Sequence, residues 1–162
     1  MTNIKIFAGV GGQEFTEYIL QNPSTLIYSQ PRFLALVTEH LDAHCSWLVA
    51  RKENQITGLL PFLVKEGPLG PVFNSLAYYG SNGGVIQAVN DIETKVVLVD
   101  AFYSLASDSG AVAATLITNP LEGDSELYDS CVRHDFRDER IGQITHLPEN
   151  IHQLLATFDD PR

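Results

Sequence analysis

Apolar positions change period several times along the chain, and each change marks an element. Ile4-Lys5-Ile6-Phe7 reads as a short opening strand, followed by a turn at Gly9, Gly11 and Gly12. From Gln13 to Gln21, Phe15, Tyr18 and Ile19 keep helical spacing until Asn22-Pro23 stops it. A second helix starts at Ser29-Gln30-Pro31, with Ser29 as its expected N-cap, Pro31 in its first turn, and Phe33, Val37 and Leu41 on one face. The clearest β signal comes next. Trp47–Arg51 and Ile56–Leu60 flank the polar Lys52-Glu53-Asn54-Gln55, as a hairpin requires.

The second hairpin strand continues through Pro61 to Val64, and a proline there predicts an edge or a bulge. The turn-rich Gly67-Pro68-Leu69-Gly70-Pro71 leads into a strand over Val72–Tyr79 and then into Gly80-Ser81-Asn82-Gly83-Gly84. Asp91 caps a long helix to about Ser107, with Ile92, Val96, Val99, Phe102, Tyr103 and Ala106 expected on its buried side and Gly110 ending it. Ala111–Thr118 suits a buried strand. A short helix over Ser125–Arg133, a strand over Arg140–Leu147 and a helix over Glu149–Phe158 complete the order. The class is α/β, a sandwich with a mixed sheet that is rich in hairpins in its first half.

Length and composition narrow this picture. The 162 residues fit one domain, and 44% hydrophobic with 19% charged residues is ordinary for a globular core. Twenty acids against ten bases give a formal charge of −10, which disfavours DNA and other phosphate backbones as partners. Arg133, Arg137 and Arg140 alternate with Asp135, Asp138 and Glu139, so that stretch reads as a mixed-charge surface. The first residues show no signal-peptide pattern, and no apolar run approaches the roughly 18 residues a membrane span needs. With only Cys45 and Cys131, in unrelated contexts, the expected compartment is the reducing cytoplasm.

Several constellations carry possible chemistry. Tyr78-Tyr79-Gly80-Ser81-Asn82-Gly83-Gly84 could turn backbone amides towards an anion or an oxyanion, with the aromatics walling a pocket; a wide turn is the alternative. The segment lacks the Gly-Lys-Ser/Thr ending of a phosphate-binding P-loop. Gly9-Val10-Gly11-Gly12 lacks the third glycine of a dinucleotide loop. His40 and His44 have the spacing for two ligands on one helix face, but no second ligand cluster accompanies them, and the reading is no metal site. Ser75, Ser104 and Ser107 lack a nucleophile-elbow context, and His134, His146 and His152 are not marked as bases.

Three stretches taken together carry a resemblance: the helix Pro31–Leu41, the hairpin ending in Gly58-Leu59-Leu60-Pro61-Phe62, and Asn74-Ser75-Leu76-Ala77-Tyr78-Tyr79-Gly80-Ser81-Asn82-Gly83-Gly84. Their order resembles the N-terminal half of FemAB-like proteins, a branch of the GNAT acyltransferase superfamily. Gly58-Leu59-Leu60-Pro61 matches that family's Gly-X-Leu-Pro pattern. In its Ser-Leu-Pro-X-X-X-X-Gly-Gly segment, Ala77 replaces the proline and Ser81-Asn82 lengthens the loop. The resemblance implies a GNAT-like, mostly antiparallel sheet flanked by helices. It also implies a single domain over residues 1–162 that forms the N-terminal, acceptor-side half of a longer bacterial two-domain enzyme of cell-envelope biosynthesis.

Family members transfer amino acids or acyl groups to amines on cell-wall or surface-polysaccharide precursors. The implied donor of the full-length protein is acyl-CoA or aminoacyl-tRNA, although no cofactor motif is evident here. Single-domain GNAT enzymes hold acyl-CoA with a Gln/Arg-X-X-Gly-X-Gly/Ala pyrophosphate loop, which this sequence lacks. The implied substrate contacts are Tyr78, Tyr79, Asn82, Gly83 and Gly84, with a small-molecule or glycan-precursor acceptor; the residues do not designate a catalytic group. A non-catalytic binding or self-association module is the alternative, with a homodimer or a second GNAT-like domain as partner.

Overall fold

The strand β2 (His44–Lys52) sends alternate side chains to opposite faces, and both faces are apolar. Cys45, Trp47 and Val49 join one buried cluster, and Leu48 and Ala50 join another. A strand with two apolar faces has to be covered on both. The structure is a computed structural model and describes residues 2–76, 82–139, 141 and 147–156. It shows three layers. The helices α1 (Gln13–Leu20) and α2 (Pro31–Leu41) cover the first face with Phe15, Tyr18, Ile19 and Leu34. The helices α3 (Ile92–Asp108) and α4 (Ser125–Cys131) cover the second with Leu98, Val99, Phe102, Ala106 and Tyr128. A short helix α5 (Ile151–Ala156) follows.

Five strands lie in chain order: β1 (Asn3–Ala8), β2, β3 (Gln55–Gly67), β4 (Gly70–Ser75) and β5 (Ala113–Leu116). The first four pair antiparallel and β4 pairs parallel with β5. The β2–β3 hairpin turns on Glu53 and Asn54, at φ 50° and 68°. Two successive positive φ values match the right-handed twist of the flanking strands. Asp91 caps α3 as expected, accepting the Thr94 N–H at 3.1 Å.

Some expectations shift by a residue or a face. Gln30 rather than Ser29 stands at the N-cap of α2, because residues Ile27–Ser29 close a separate 3-10 turn. Leu34 anchors that helix, with Val37 and Leu41 packed beside it. On α3 the buried stripe runs through Thr94, Lys95, Leu98, Val99, Phe102 and Ala106, and leaves Ile92 exposed. β5 alternates between exposed and half-buried instead of being enclosed, because it lies at the end of the sheet order. His40 ends up on α2 and His44 on β2, since Asp42 breaks the helix at φ 47°. The strand expected over Arg140–Leu147 and the end of the last helix fall mainly outside the described residues.

Candidate active site at the parting of two strands

Ser75 is the last residue of β4 to pair with β5, opposite Leu116. β4 then leaves the sheet at Leu76, which takes φ 60°. Continued from the Leu63↔Asn74 pair, the register would place residue 78 against Leu59, but Ile86 stands there instead. Ile86 exchanges two backbone hydrogen bonds with Leu59, at 2.7 and 3.0 Å. The strand is therefore split, with a chain excursion between its halves. Pro61 falls on the gap. The Leu59 N–H points towards β4's side, so position 61, two residues on, faces the same side where no ladder bond is needed.

The return limb carries three of the five residues expected to contact substrate. Gly83 donates its N–H to the Ile117 carbonyl at 3.2 Å, extending β5's pairing across the gap. A Cβ on Gly83 would lie 2.3 Å from the Ser75 carbonyl oxygen, so the two limbs touch at a neck that admits only glycine. Gly84, at φ 90°, directs its N–H to Ser75 Oγ at 3.4 Å. Asn82 is half-buried just before them. Tyr78 and Tyr79 lie outside the described residues.

A tyrosine absent from the sequence reading completes this site. Tyr128 of α4 places its hydroxyl beside the neck, where it accepts the Val85 N–H at 2.9 Å. A Cβ on Gly84 would come within 3.0 Å of that hydroxyl, so glycine keeps the space next to it open. Burial pushes the phenol well above its ordinary pKa, against a smaller lowering by the Val85 hydrogen bond. The hydroxyl stays protonated at neutral pH, with its acceptor lone pair engaged and its proton available to donate.

Lys95 supports the tyrosine from below, its ammonium 6.0 Å from the ring centroid. It pairs with Glu122 at 3.0 Å and with Asp124. Burial alone would lower its pKa, but the hydrogen bonds it donates to Asp124 and Glu122 outweigh that and raise it. The loop that supplies these acids is tied across the molecule by Asn119, whose side-chain amide donates to the Ser24 carbonyl at 2.7 Å. One signal for Lys95 was available in the sequence. It stands four residues before Val99 in a stripe that continues through Phe102 and Ala106.

An open groove of about 570 Å³ lies on the other side of the return limb, between α1 and the β2–β3 turn. Glu14, Glu17, Tyr18, Gln21, Thr57 and Val89 line it. Arg51 engages both oxygens of Glu14 at 2.8 Å, whereas Glu17 accepts the neutral Gln13 amide at 2.7 Å. Tyr18 spans from α1 to the return limb by accepting the Ala88 N–H at 3.3 Å.

No family model and no curated protein matches the sequence. Solved structures do match. A ribosomal-protein-alanine N-acetyltransferase from Brucella melitensis biovar Abortus 2308 superposes with a TM-score of 0.56 at 16% identity, over 88% of this chain and 100% of that one. A probable acetyltransferase superposes with a TM-score of 0.51 at 15% identity, over 90% of this chain and 98% of that one. The fold is that of the N-acetyltransferases. The expected class, a mixed and mostly antiparallel GNAT-like sheet flanked by helices, is the one observed. Within the acetyltransferase fold of this chain, the parted β4/β5 edge and the groove by α1 lie on opposite sides of one return limb. No helix among the described residues is long and apolar enough to cross a membrane.

Proposed function

We propose that this chain transfers an acyl group from an activated ester to an amine, at the parting of β4 and β5. One observation carries the reading. A buried, protonated Tyr128 hydroxyl and the glycine limb Gly83-Gly84 meet where two parallel strands separate. Beside the parting, Gly83 and Gly84 keep side chains out of the space next to the hydroxyl. A preorganised hydroxyl beside them can hydrogen-bond the oxygen that gains charge during acyl transfer, or protonate the leaving group. Glu17 gives the α1 groove a negative lining that attracts a cationic amine to that side of the return limb. The ammonium first gives a proton to water; its nitrogen then forms a bond to the acyl carbon, the carbon–leaving-group bond breaks, and the second proton leaves with the departing group.

The resemblance of Gly58–Pro61 and Asn74–Gly84 to FemAB-like proteins narrows the acceptor to an amine on a cell-wall or surface-polysaccharide precursor, handled in the cytoplasm. It also supports a place for this chain as the acceptor-side domain beside a second GNAT-like domain. An acyl-transfer assay with small thioester donors and a panel of amines tests the core of the reading. Tyr128→Phe is expected to lower kcat about a hundredfold while the protein still melts cooperatively. Unchanged turnover in that variant would remove Tyr128 from the site.

A self-association reading has its own observation. Among the described residues β1 pairs only with β2, and Ile6 and Phe7 on it are 56% and 45% exposed. An open apolar strand edge is a template for pairing with another chain. Sedimentation equilibrium is expected to show a dimer that Ile6→Lys dissociates; a monomer at all concentrations rules this reading out.

A further inference from the structure

The acetyltransferase fold implies acyl-CoA as donor, and a diphosphate needs free amides, glycine freedom and positive charge at a helix start. The start of α3, which follows the return limb, supplies the opposite. Asp91 occupies the first turn with its own carboxylate: one oxygen accepts the Thr94 N–H at 3.1 Å and the other the Thr94 hydroxyl at 2.8 Å. Glu93 adds a second negative charge in the same turn. The basic side chains of the neighbouring turn are already engaged, Lys52 with Asp91 at 2.8 Å and Glu93 at 3.9 Å, and Arg51 with Glu14. Residues 85–91, Val-Ile-Gln-Ala-Val-Asn-Asp, contain no glycine to bring backbone close to a phosphate. The backbone there is also tied down, since Gln87 donates its side-chain amide to the Asp91 carbonyl at 3.1 Å.

These residues do not fit a diphosphate. We infer that Asp91 is a resident anion holding the start of α3, and that the acyl donor is a thioester or ester whose carrier places no diphosphate there. The inference rests on the acyl-transfer reading and sharpens its donor. A donor recognised through its acyl group and an uncharged arm along the parted β4/β5 edge satisfies both. A diphosphate seated at the start of α3 would meet Asp91 and Glu93, in a chain whose formal charge is already −10.

Calorimetric titration with acetyl-pantetheine and acetyl-CoA tests this on the whole chain. Wild type is expected to bind the two with Kd values within about threefold, because the nucleotide adds no net contact. Asp91→Ser keeps a capping hydroxyl while removing the charge and releasing Lys52; it is expected to tighten acetyl-CoA relative to acetyl-pantetheine about tenfold. Asp91→Asn, with an equally good cap, serves if the serine variant melts early. Acetyl-CoA binding to wild type more than about tenfold tighter than acetyl-pantetheine, weakening with salt, would overturn the inference. So would an unchanged ratio in both variants. Binding of neither thioester by any of these proteins overturns the inference as well, while turnover of an ester donor in the acyl-transfer assay would leave the proposed function standing.

Discussion

Lys52 and Lys95 each hold two carboxylates near the beginning of α3, yet water separates what the two clusters do. The Lys52 side chain is 37% exposed and one of its partners, Glu93, is 76% exposed. The Lys95 side chain is 5% exposed, with Glu122 and Asp124 at 15% and 18%. In water, an ion pair gains little over hydrated ions and is screened by salt. Out of water, neither sign tolerates losing the other. The outer cluster therefore sets local charge, while the inner one fastens the β5–α4 loop to α3 and seats Tyr128 beside the neck.

Removing the inner cation should have the largest effect. Lys95→Met leaves two acids shielded from solvent without a partner and is expected to cost about 3–5 kcal/mol in urea denaturation. A loss below about 1 kcal/mol would mean that water reaches the cluster, and the distinction would collapse. Lys52→Met, by contrast, should cost only a small fraction of the Lys95→Met loss in the same denaturation, because the pair it breaks is open to water.

The smallest effect is confined to acid. The Lys52 hydrogen bond, followed by those from Thr94, lowers the Asp91 pKa from 3.8 to about 2. A depressed carboxylate contributes its full stabilisation above 3.8, and that contribution is lost as pH falls from there to about 2. Melting temperatures of wild type and Asp91→Asn should therefore converge across that window and stay parallel above it. Parallel curves throughout would show that Asp91 is not held in its charged form by these contacts.

The sequence exposed those features that repeat along the chain or sit at an element's end. The β2–β3 hairpin, the Asp91 cap and the layered α/β order follow from period, turn residues and capping chemistry. Pro61 even marked the local opening in β3's neighbour, because a missing N–H is tolerated only where no ladder bond forms. What stayed hidden depends on partners distant in the chain. The spacing of Lys95 from Val99 put it on the buried stripe, but the acids that make its burial tolerable, Glu122 and Asp124, come from a loop far along the chain. Tyr128 looks like an ordinary amphipathic-helix aromatic until Val85 is found under its hydroxyl. On α3, Ile92 was the more apolar choice for the buried face. The helix rotates so that Thr94 and Lys95 turn inward, where Asp91, Glu122 and Asp124 satisfy them.

The closed neck between Ser75 and Gly83 also bears on how such a molecule diversifies. Both limbs are fixed before and after the excursion, by the Ser75↔Leu116 pair on one side and by the Ile86–Leu59 bonds on the other. Chain inserted or exchanged between them has both its ends fixed by the scaffold, so its length and composition can change without moving β3, β5 or α3. The split strand works as a socket. Selection, or a protein engineer, can exchange the segment between the two limbs while the pairs that bracket it stay in place.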